Sequence, residues 1–507
     1  MTCRRLCIST FVFLSACTVS ACTALRPASD PVRDASVDNA DTGRDAFELD
    51  APGLDAPQPD APQPDAYTDD AFTPTDAGPR CPVDPSTRPE RLVPAGTEIT
   101  SATTWDCAHN WVLEGAVVVT GATLTVEAST VVEVADGAFV LVARDARIEA
   151  VGTAAAPVVF TARTRPASRG QWRGLVLLGA ARTGFTTTSR IRETVMDARG
   201  AYGGSDDEHD CGRLEYVRVE FAGGSASALS DYTVPAAGLT LAACGRRTVI
   251  DHVQVHRSSD GIGLVGGTVP LRHVIVTDPN EDGIEWVAGY RGLIQFAVVQ
   301  AFPASGSAIK GSREEGEPTG DPESEPFVYN VTLAGAQTGP EGANGFESGV
   351  RLQVGTLGWI RNGVVTGFPG SWVNVTDAET AMRLPLGRGG VSHTLFFDRA
   401  LPPRGGFPGL DDGDDDGIDE DMVFRGASLS NRFPSTPTLL RAPYSATAPD
   451  FTGDTTLQTG AFAPEPPGWS GIYMAADYYG AMAPSDGSPA GRARVDWTAG
   501  WTTYPAS

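Results

Sequence analysis

Ile250-Asp-His-Val-Gln-Val255 recurs as Leu271-Arg-His-Val-Ile-Val276 and again as Ile294-Gln-Phe-Ala-Val-Val299, with starts 21 and 23 residues apart. Each unit alternates apolar and polar residues in the manner of a half-buried strand. Gly, Asn and Asp mark corners between copies, and Asp260-Gly-Ile and Asp282-Gly-Ile themselves repeat at 22 residues. A period of this length is one coil of a parallel β-solenoid and is short for a propeller blade. A β-sandwich is the other all-β alternative.

The pattern extends in both directions. Leu214-Glu-Tyr-Val-Arg-Val219 is an earlier copy, and Val328-Tyr-Asn-Val-Thr-Leu333, Ile360-Arg-Asn-Gly-Val-Val365 and Val391-Ser-His-Thr-Leu-Phe396 are later ones whose wider gaps hold inserted loops. Upstream, Leu124-Thr-Val, Val131-Val-Glu-Val, Phe139-Val-Leu-Val, Arg147-Ile-Glu-Ala and Pro157-Val-Val-Phe read as closely spaced strands. The expected fold is an all-β, single-stranded, right-handed parallel β-helix over 81–430. The open ends of a solenoid expose strand edges that must be covered. The N-terminal cap is expected around Cys81 to Trp111, with a Cys81–Cys107 disulfide, and an irregular C-terminal cover over 431–507.

Composition agrees. The 507 residues are 41% hydrophobic and include 58 Gly and 38 Pro, which suits many short elements and argues against an all-helical protein. A net charge of −25 argues against nucleic acid and against electrostatic docking on anionic lipid. Lys310 is the only lysine; every other basic residue is Arg.

At the start, Arg4 and Arg5 precede an apolar run from Leu6 to Leu14, the build of a secretory signal. Leu14-Ser-Ala-Cys17 resembles a bacterial lipobox, and Val19-Ser-Ala-Cys22 is a second match. Cleavage before Cys22 leaves Cys81, Cys107, Cys211 and Cys244 for two disulfides with nothing unpaired; Cys17 is preferred because leucine opens its box beside the end of the apolar run. Residues 1–22 are thus read as a lipoprotein signal with acyl chains partnering a bilayer, and the protein as exported and anchored at the outer membrane or surface of a Gram-negative-type bacterium. Residues 23–80 follow as a tether in which Asp-Ala recurs every five residues, as in Asp55-Ala-Pro-Gln-Pro-Asp-Ala-Pro-Gln-Pro64. Too few large apolar side chains are present to offset ordering entropy.

Four blocks carry a family resemblance: Arg169-Gly-Gln-Trp-Arg-Gly-Leu-Val-Leu-Leu-Gly179, Tyr202-Gly-Gly-Ser-Asp-Asp-Glu-His-Asp-Cys-Gly-Arg-Leu-Glu-Tyr-Val-Arg218, Asp282-Gly-Ile-Glu-Trp286 and Asp496-Trp-Thr-Ala-Gly-Trp-Thr502. They resemble the recurring blocks of secreted, often lipid-anchored bacterial β-helix proteins of unassigned biochemical role, over about residues 95–502. Arg173 stands where that pattern has Gly, and Cys211 where it has a small residue; Cys211 is expected to pair with Cys244, one coil on. The resemblance implies fold and location and supplies no reaction.

Several constellations bear on chemistry. Asp206, Asp207 and Asp210 lie in a Gly-flanked loop, and Asp412, Asp414 and Asp416 alternate before Gly417 in the manner of a calcium loop, although Val423 stands where an EF-hand has its closing Glu and no helical pattern flanks the run. Ca²⁺ is the one cofactor these suggest; no motif points to an organic one. Asp260, Asp282 and Glu285 are candidates to stack on successive coils as acid and base, with Lys310 or Arg291 as a lyase-type base, yet Asp-Gly is also an ordinary corner and that reading is preferred. The Asn-Thr-Asp and Gly-His-Gly blocks of polygalacturonase-like enzymes are absent. His252 and His273 occupy equivalent strand positions and are expected to stack rather than bind zinc. The resulting expectation is a non-catalytic surface scaffold that binds extracellular polymer, carbohydrate first, with a polysaccharide lyase or hydrolase as the alternative.

Overall fold

The computed structural model describes residues 81, 84–185, 189–190, 198–224, 237–302, 306–313, 320–335, 348–368, 370–397, 406–408, 417–435, 439–453, 461, 464–486 and 488–506. All belong to the second of two compact units, Thr75–Ser507. Cys17, Cys22, Asp412, Asp414 and Asp416 lie outside the described residues.

The chain winds as a parallel β-helix. In the first coils three short strands follow one another, as in Thr123–Val126, Val131–Val134 and Phe139–Val142, and each pairs in parallel with its counterpart in Arg147–Val151, Val158–Ala162 and Gly174–Leu178. Gly212–Glu220 then pairs with both Arg147–Val151 and Val158–Ala162, fusing two strands into one bent strand. Bent strands continue as Val249–His256, Leu271–Thr277, Leu293–Ala301 and Phe327–Gly335. They alternate with Asp260–Val265, Ile284–Val287, Ile309–Gly311 and Ser348–Leu352, members of a ten-stranded sheet that forms the remaining side.

The repeat read from the sequence is the register of this solenoid. Leu214 pairs with Ile250, Ile250 with Leu271, Leu271 with Ile294, Ile294 with Val328, Val328 with Ile360 and Ile360 with Val391. Strict alternation fails at the third residue of each copy. Tyr216, His252, His273, Phe296, Asn330, Asn362 and His393 all have φ between 47° and 59°. This left-handed residue bends the strand and shifts its parity, so positions one, four and six point inward. Ile250, Val253 and Val255 are each at most 2% exposed, as are Leu271, Val274 and Val276. The core is one apolar column running from Val93 to Phe424.

Both expected disulfides are present, Cys81–Cys107 and Cys211–Cys244. At the far end Trp372 and Phe396 pack with Phe407 and Phe433. Here the expectation of no helix beside the acidic run is corrected. Asp419 caps a short helix, Glu420–Phe424, by accepting from the Met422 N–H. Buried Glu420 in turn accepts from Val375 N–H at 3.0 Å, closing the edge of the last strand in the ten-stranded sheet.

Residues 439–453, 464–486 and 488–506 lie along the bent strands. Ala481 N–H donates to Thr332 Oγ1, Asn330 Nδ2 to the Tyr478 carbonyl, Gln295 Nε2 to the Met474 carbonyl and Gln254 Nε2 to the Thr503 carbonyl. Buried Trp501 and Met482 cover Ile275 and Val298. The outer side of the bend is therefore a second, smaller core.

Candidate functional site

Stacking in register brings Asp260, Asp282, Glu285 and Lys310 together on the ten-stranded sheet. Asp260 opens its strand; Asp282 precedes the next; Glu285 and Lys310 are directly paired positions of the two strands that follow. The Asp260 and Asp282 carboxylates each accept an N–H from the coil above: Asp282 N to Asp260 Oδ1 at 2.9 Å and Ser307 N to Asp282 Oδ1 at 2.7 Å. A Cβ on Gly306 would lie 2.6 Å from Asp282 Oδ1, so a glycine is needed for this close approach. Asp-Gly is thus a corner device, as preferred from the sequence, and also supplies two of three convergent carboxylates. One oxygen from each of Asp260, Asp282 and Glu285 lies within 4.8 Å of the others.

Lys310 Nζ lies 2.8 Å from Glu285 Oε1 and 3.2 Å from Asp282 Oδ2. Asp260, Asp282 and Glu285 are 5–8% exposed, while the Lys310 side chain keeps 24% of its surface. Burial raises Glu285 to about 7, reinforced by the Asp282 charge and opposed by Lys310. Burial also pushes Asp260 well above the usual carboxylate range. For Lys310 burial acts downward, but Glu285 and Asp282 outweigh it and hold the ammonium charged.

Three carboxylates supply hard oxygen donors of the type Ca²⁺ takes. The ammonium, however, occupies the space between Asp282 and Glu285, and a second cation there would meet direct repulsion. The residues present do not fit a divalent ion. Chemically the cluster offers a buried carboxyl titrating near neutrality and a fixed ammonium at the surface, a combination suited to proton transfer or to pairing with a ligand carboxylate.

Arg351, which sequence reasoning missed, continues the row. It pairs with Lys310 from the next coil, and Asn374 pairs with Arg351. Ile309, Val350 and Leu352 fill the core, so Lys310 and Arg351 occupy outward positions. The only sequence signal was the likeness of Val350-Arg-Leu352 to Ile309-Lys-Gly311, obscured by the long insertion between them.

The other candidates separate. Asp206, Asp207 and Asp210 do not converge, which corrects the expectation of a focused calcium loop. Asp206 accepts from Glu208 N–H; Asp207 binds Arg182 and Arg291; Asp210 pairs with Arg147 at 2.8 Å and accepts from Gly212 N–H. Burial would raise Asp207, but the two arginines hold it at about 2. Arg291 is consequently engaged away from the Lys310 cluster.

His252 and His273 stack as expected, 4.6 Å apart between Tyr216 and Phe296. Both Nδ1 atoms lie 2.8 Å from Asp251 Oδ1, and Arg272 holds the other oxygen at 3.0 Å. Asp251 is the residue the sequence reading overlooked there. Burial raises it, yet the hydrogen bonds from both histidines leave it well below the usual range. The rings are only 25° from parallel, whereas a metal ion must lie near the plane of each ring it binds, so this group is a hydrogen-bonded ladder.

No curated protein and no solved structure matches the chain. A family model described as a pectate-lyase-like β-helix domain matches residues 97–398, which include every residue of the Lys310 cluster and more than half of the chain. With coils stacked in parallel along that whole stretch, the chain belongs to the pectate-lyase-like β-helix domain family.

Proposed function

We propose that this protein is an exported, lipid-anchored scaffold whose ten-stranded sheet binds an acidic extracellular polysaccharide. The observation that carries the reading is the outward, in-register pair Lys310 and Arg351 on successive coils of a chain whose net charge is −25. Adjacent strands are about 4.8 Å apart, so the two basic side chains stand in register, and the exposed part of the Lys310 ammonium, beyond its contacts to Glu285 and Asp282, can add a carboxylate of an extended polymer. Family membership fits a polysaccharide-related role. The corner hydrogen bonds of Asp260 and Asp282 favour binding over catalysis, because they give those carboxylates structural work.

One observation favours the enzymatic alternative, a lyase or hydrolase. Glu285, raised to about 7 beside a charged lysine, has the affinity for protons that a general acid or base requires near neutral pH. The test is to incubate the full chain with neutral and acidic polysaccharides and to measure both retention and newly released chain ends. Retention without release, weakened by Lys310→Gln, is the expected result. Release abolished by Glu285→Gln would make the protein an enzyme, and failure to retain or cleave any acidic polymer would overturn both readings.

The anchor is supported by the two lipobox-like segments at Cys17 and Cys22 and by the acidic tether. Replacing both cysteines with Ser is expected to move the protein from the membrane to the soluble fraction. Calcium held by Asp412, Asp414 and Asp416 completes the proposal, supported by their alternation before Gly417; chelation is then expected to lower the unfolding temperature.

A further inference from the structure

We infer that Lys310 is a built-in cation, its ammonium standing among Asp260, Asp282 and Glu285 where a divalent metal ion would bind, so that this face engages a carboxylate polymer without metal. The polymer part rests on the function proposed above; the cation part does not.

The geometry supplies the argument. Three carboxylates with oxygens within 4.8 Å of one another are the donor set of a hard-cation site. Two of them are held by backbone N–H groups of neighbouring coils and need no metal to stay in place. Lys310 Nζ then approaches Glu285 at 2.8 Å and Asp282 at 3.2 Å, bridging carboxylates that come from different positions along one coil. The neighbouring Gly311 admits no side chain, since a Cβ there would lie 2.3 Å from the Trp286 ring. The lysine therefore emerges from a backbone packed directly on the coil below.

The choice of amine carries information. Of the 38 Lys and Arg residues in the chain, Lys310 alone is lysine. Asp207, Asp251, Asp278 and Glu323 each pair with an arginine instead. A guanidinium is a broad planar fork, whereas an ammonium is a compact point charge with donors on every side. Guanidiniums bridge carboxylate pairs elsewhere in the structure, as Arg163 does between Glu90 and Glu133, but the ammonium is the closer match in size and shape to a spherical ion. The groups facing Glu285 are Asp282, Glu281 and Lys310, with Asp260 on the preceding coil and Arg351 beyond Lys310.

The test reads metal binding directly. The full chain and its Lys310→Ala variant are titrated with terbium(III) and with Ca²⁺, each alone and in a Glu285→Gln background. Wild type is expected to show no binding that depends on Glu285. Lys310→Ala is expected to gain one site, at least tenfold above the detection limit of the wild-type titration, and to lose it with Glu285→Gln. If circular dichroism shows Lys310→Ala unfolded, Lys310→Met keeps the packed stem and takes its place. Glu285-dependent binding in wild type, or a folded variant that gains none, overturns the inference. In the polymer arm, retention by wild type is expected to be unchanged by chelator, and loss of retention in Lys310→Ala to be reversed by Ca²⁺. A protein that retains no polymer but gains the metal site refutes the proposed function and leaves the built-in cation standing.

Discussion

Two columns of stacked residues run along this solenoid, and they are built on opposite principles. At the bend, Tyr216, His252, His273 and Phe296 stack ring on ring, Asn330 and Asn362 continue the column, and residues 464–486 and 488–506 seal it. On the ten-stranded sheet, Asp260, Asp282 and Glu285 bring like charges together instead. Rings and amides gain dispersion and hydrogen bonds from each copy added, so the bend column can repeat for many coils. Carboxylates repel, so their column is short, ends in Lys310 and contains groups driven toward the protonated form. Repetition is favourable where the stacked groups are rings and amides, and where they are carboxylates the fold adds a counterion. The charged column is the one with chemistry to spare.

This contrast can be broken most severely at the seal. Trp501 is 1% exposed, meets Tyr216 and His252 edge-on and donates its indole N–H to the Trp497 carbonyl. Trp501→Ala is expected to cost about 4 kcal/mol, read as a lower denaturant midpoint with protease-sensitive residues 439–506. Next is the counterion. Lys310→Ala leaves buried carboxylates unbalanced and is expected to cost about 3 kcal/mol at pH 8, shrinking at pH 5 where Glu285 carries a proton. Equal destabilisation at both pH values would show that the ammonium does not compensate these charges.

A third measurement follows the proton. Because the folded pKa of Glu285 is raised from 4.5 to about 7, the folded state binds more protons across that interval, and stability falls as pH rises through it. The Glu285 share is about 2 kcal/mol between pH 5 and 7, and Glu285→Gln is expected to flatten the profile by that amount. The smallest effect lies in the ring and amide column at the bend. His273 sits at φ 47°, a conformation asparagine tolerates, and the same column already uses Asn330 and Asn362. His273→Asn is expected to cost about 1 kcal/mol and His273→Val at least twice that, since a β-branched residue is strained there. Equal losses would mean that ring stacking, and not backbone conformation, dominates the bend.

Much of this was legible beforehand, for a definite reason. Solenoid coils contact their immediate neighbours, so spacing along the chain becomes spacing in space. The hexamers from Leu214 to Phe396 landed in one register, and His252 met His273 as their matched positions required. Asp260, Asp282, Glu285 and Lys310 were likewise brought together because they fall at matching places in successive repeats. The reading was less successful where contacts are irregular or distant. The loop carrying Asp206, Asp207 and Asp210 promised convergence, but arginines at 147, 182 and 291 drew two of its carboxylates apart. Arg351 went unnoticed because an insertion broke the period, and the Glu420–Phe424 helix because five residues are too few to show one.

The amino-acid sequence by itself determined the parallel β-helix, its period and which positions stack, because each of these follows from local pattern repeated at fixed spacing. The tertiary structure alone decided which side each stacked residue faces and what charge it can carry. A left-handed residue at the third position of every repeat reverses the alternation beyond it, and no polar–apolar pattern states that reversal. Burial by neighbouring coils and the approach of one ammonium then set the protons on Asp260 and Glu285, since the energy of a charge depends on everything around it and not on its place in the chain.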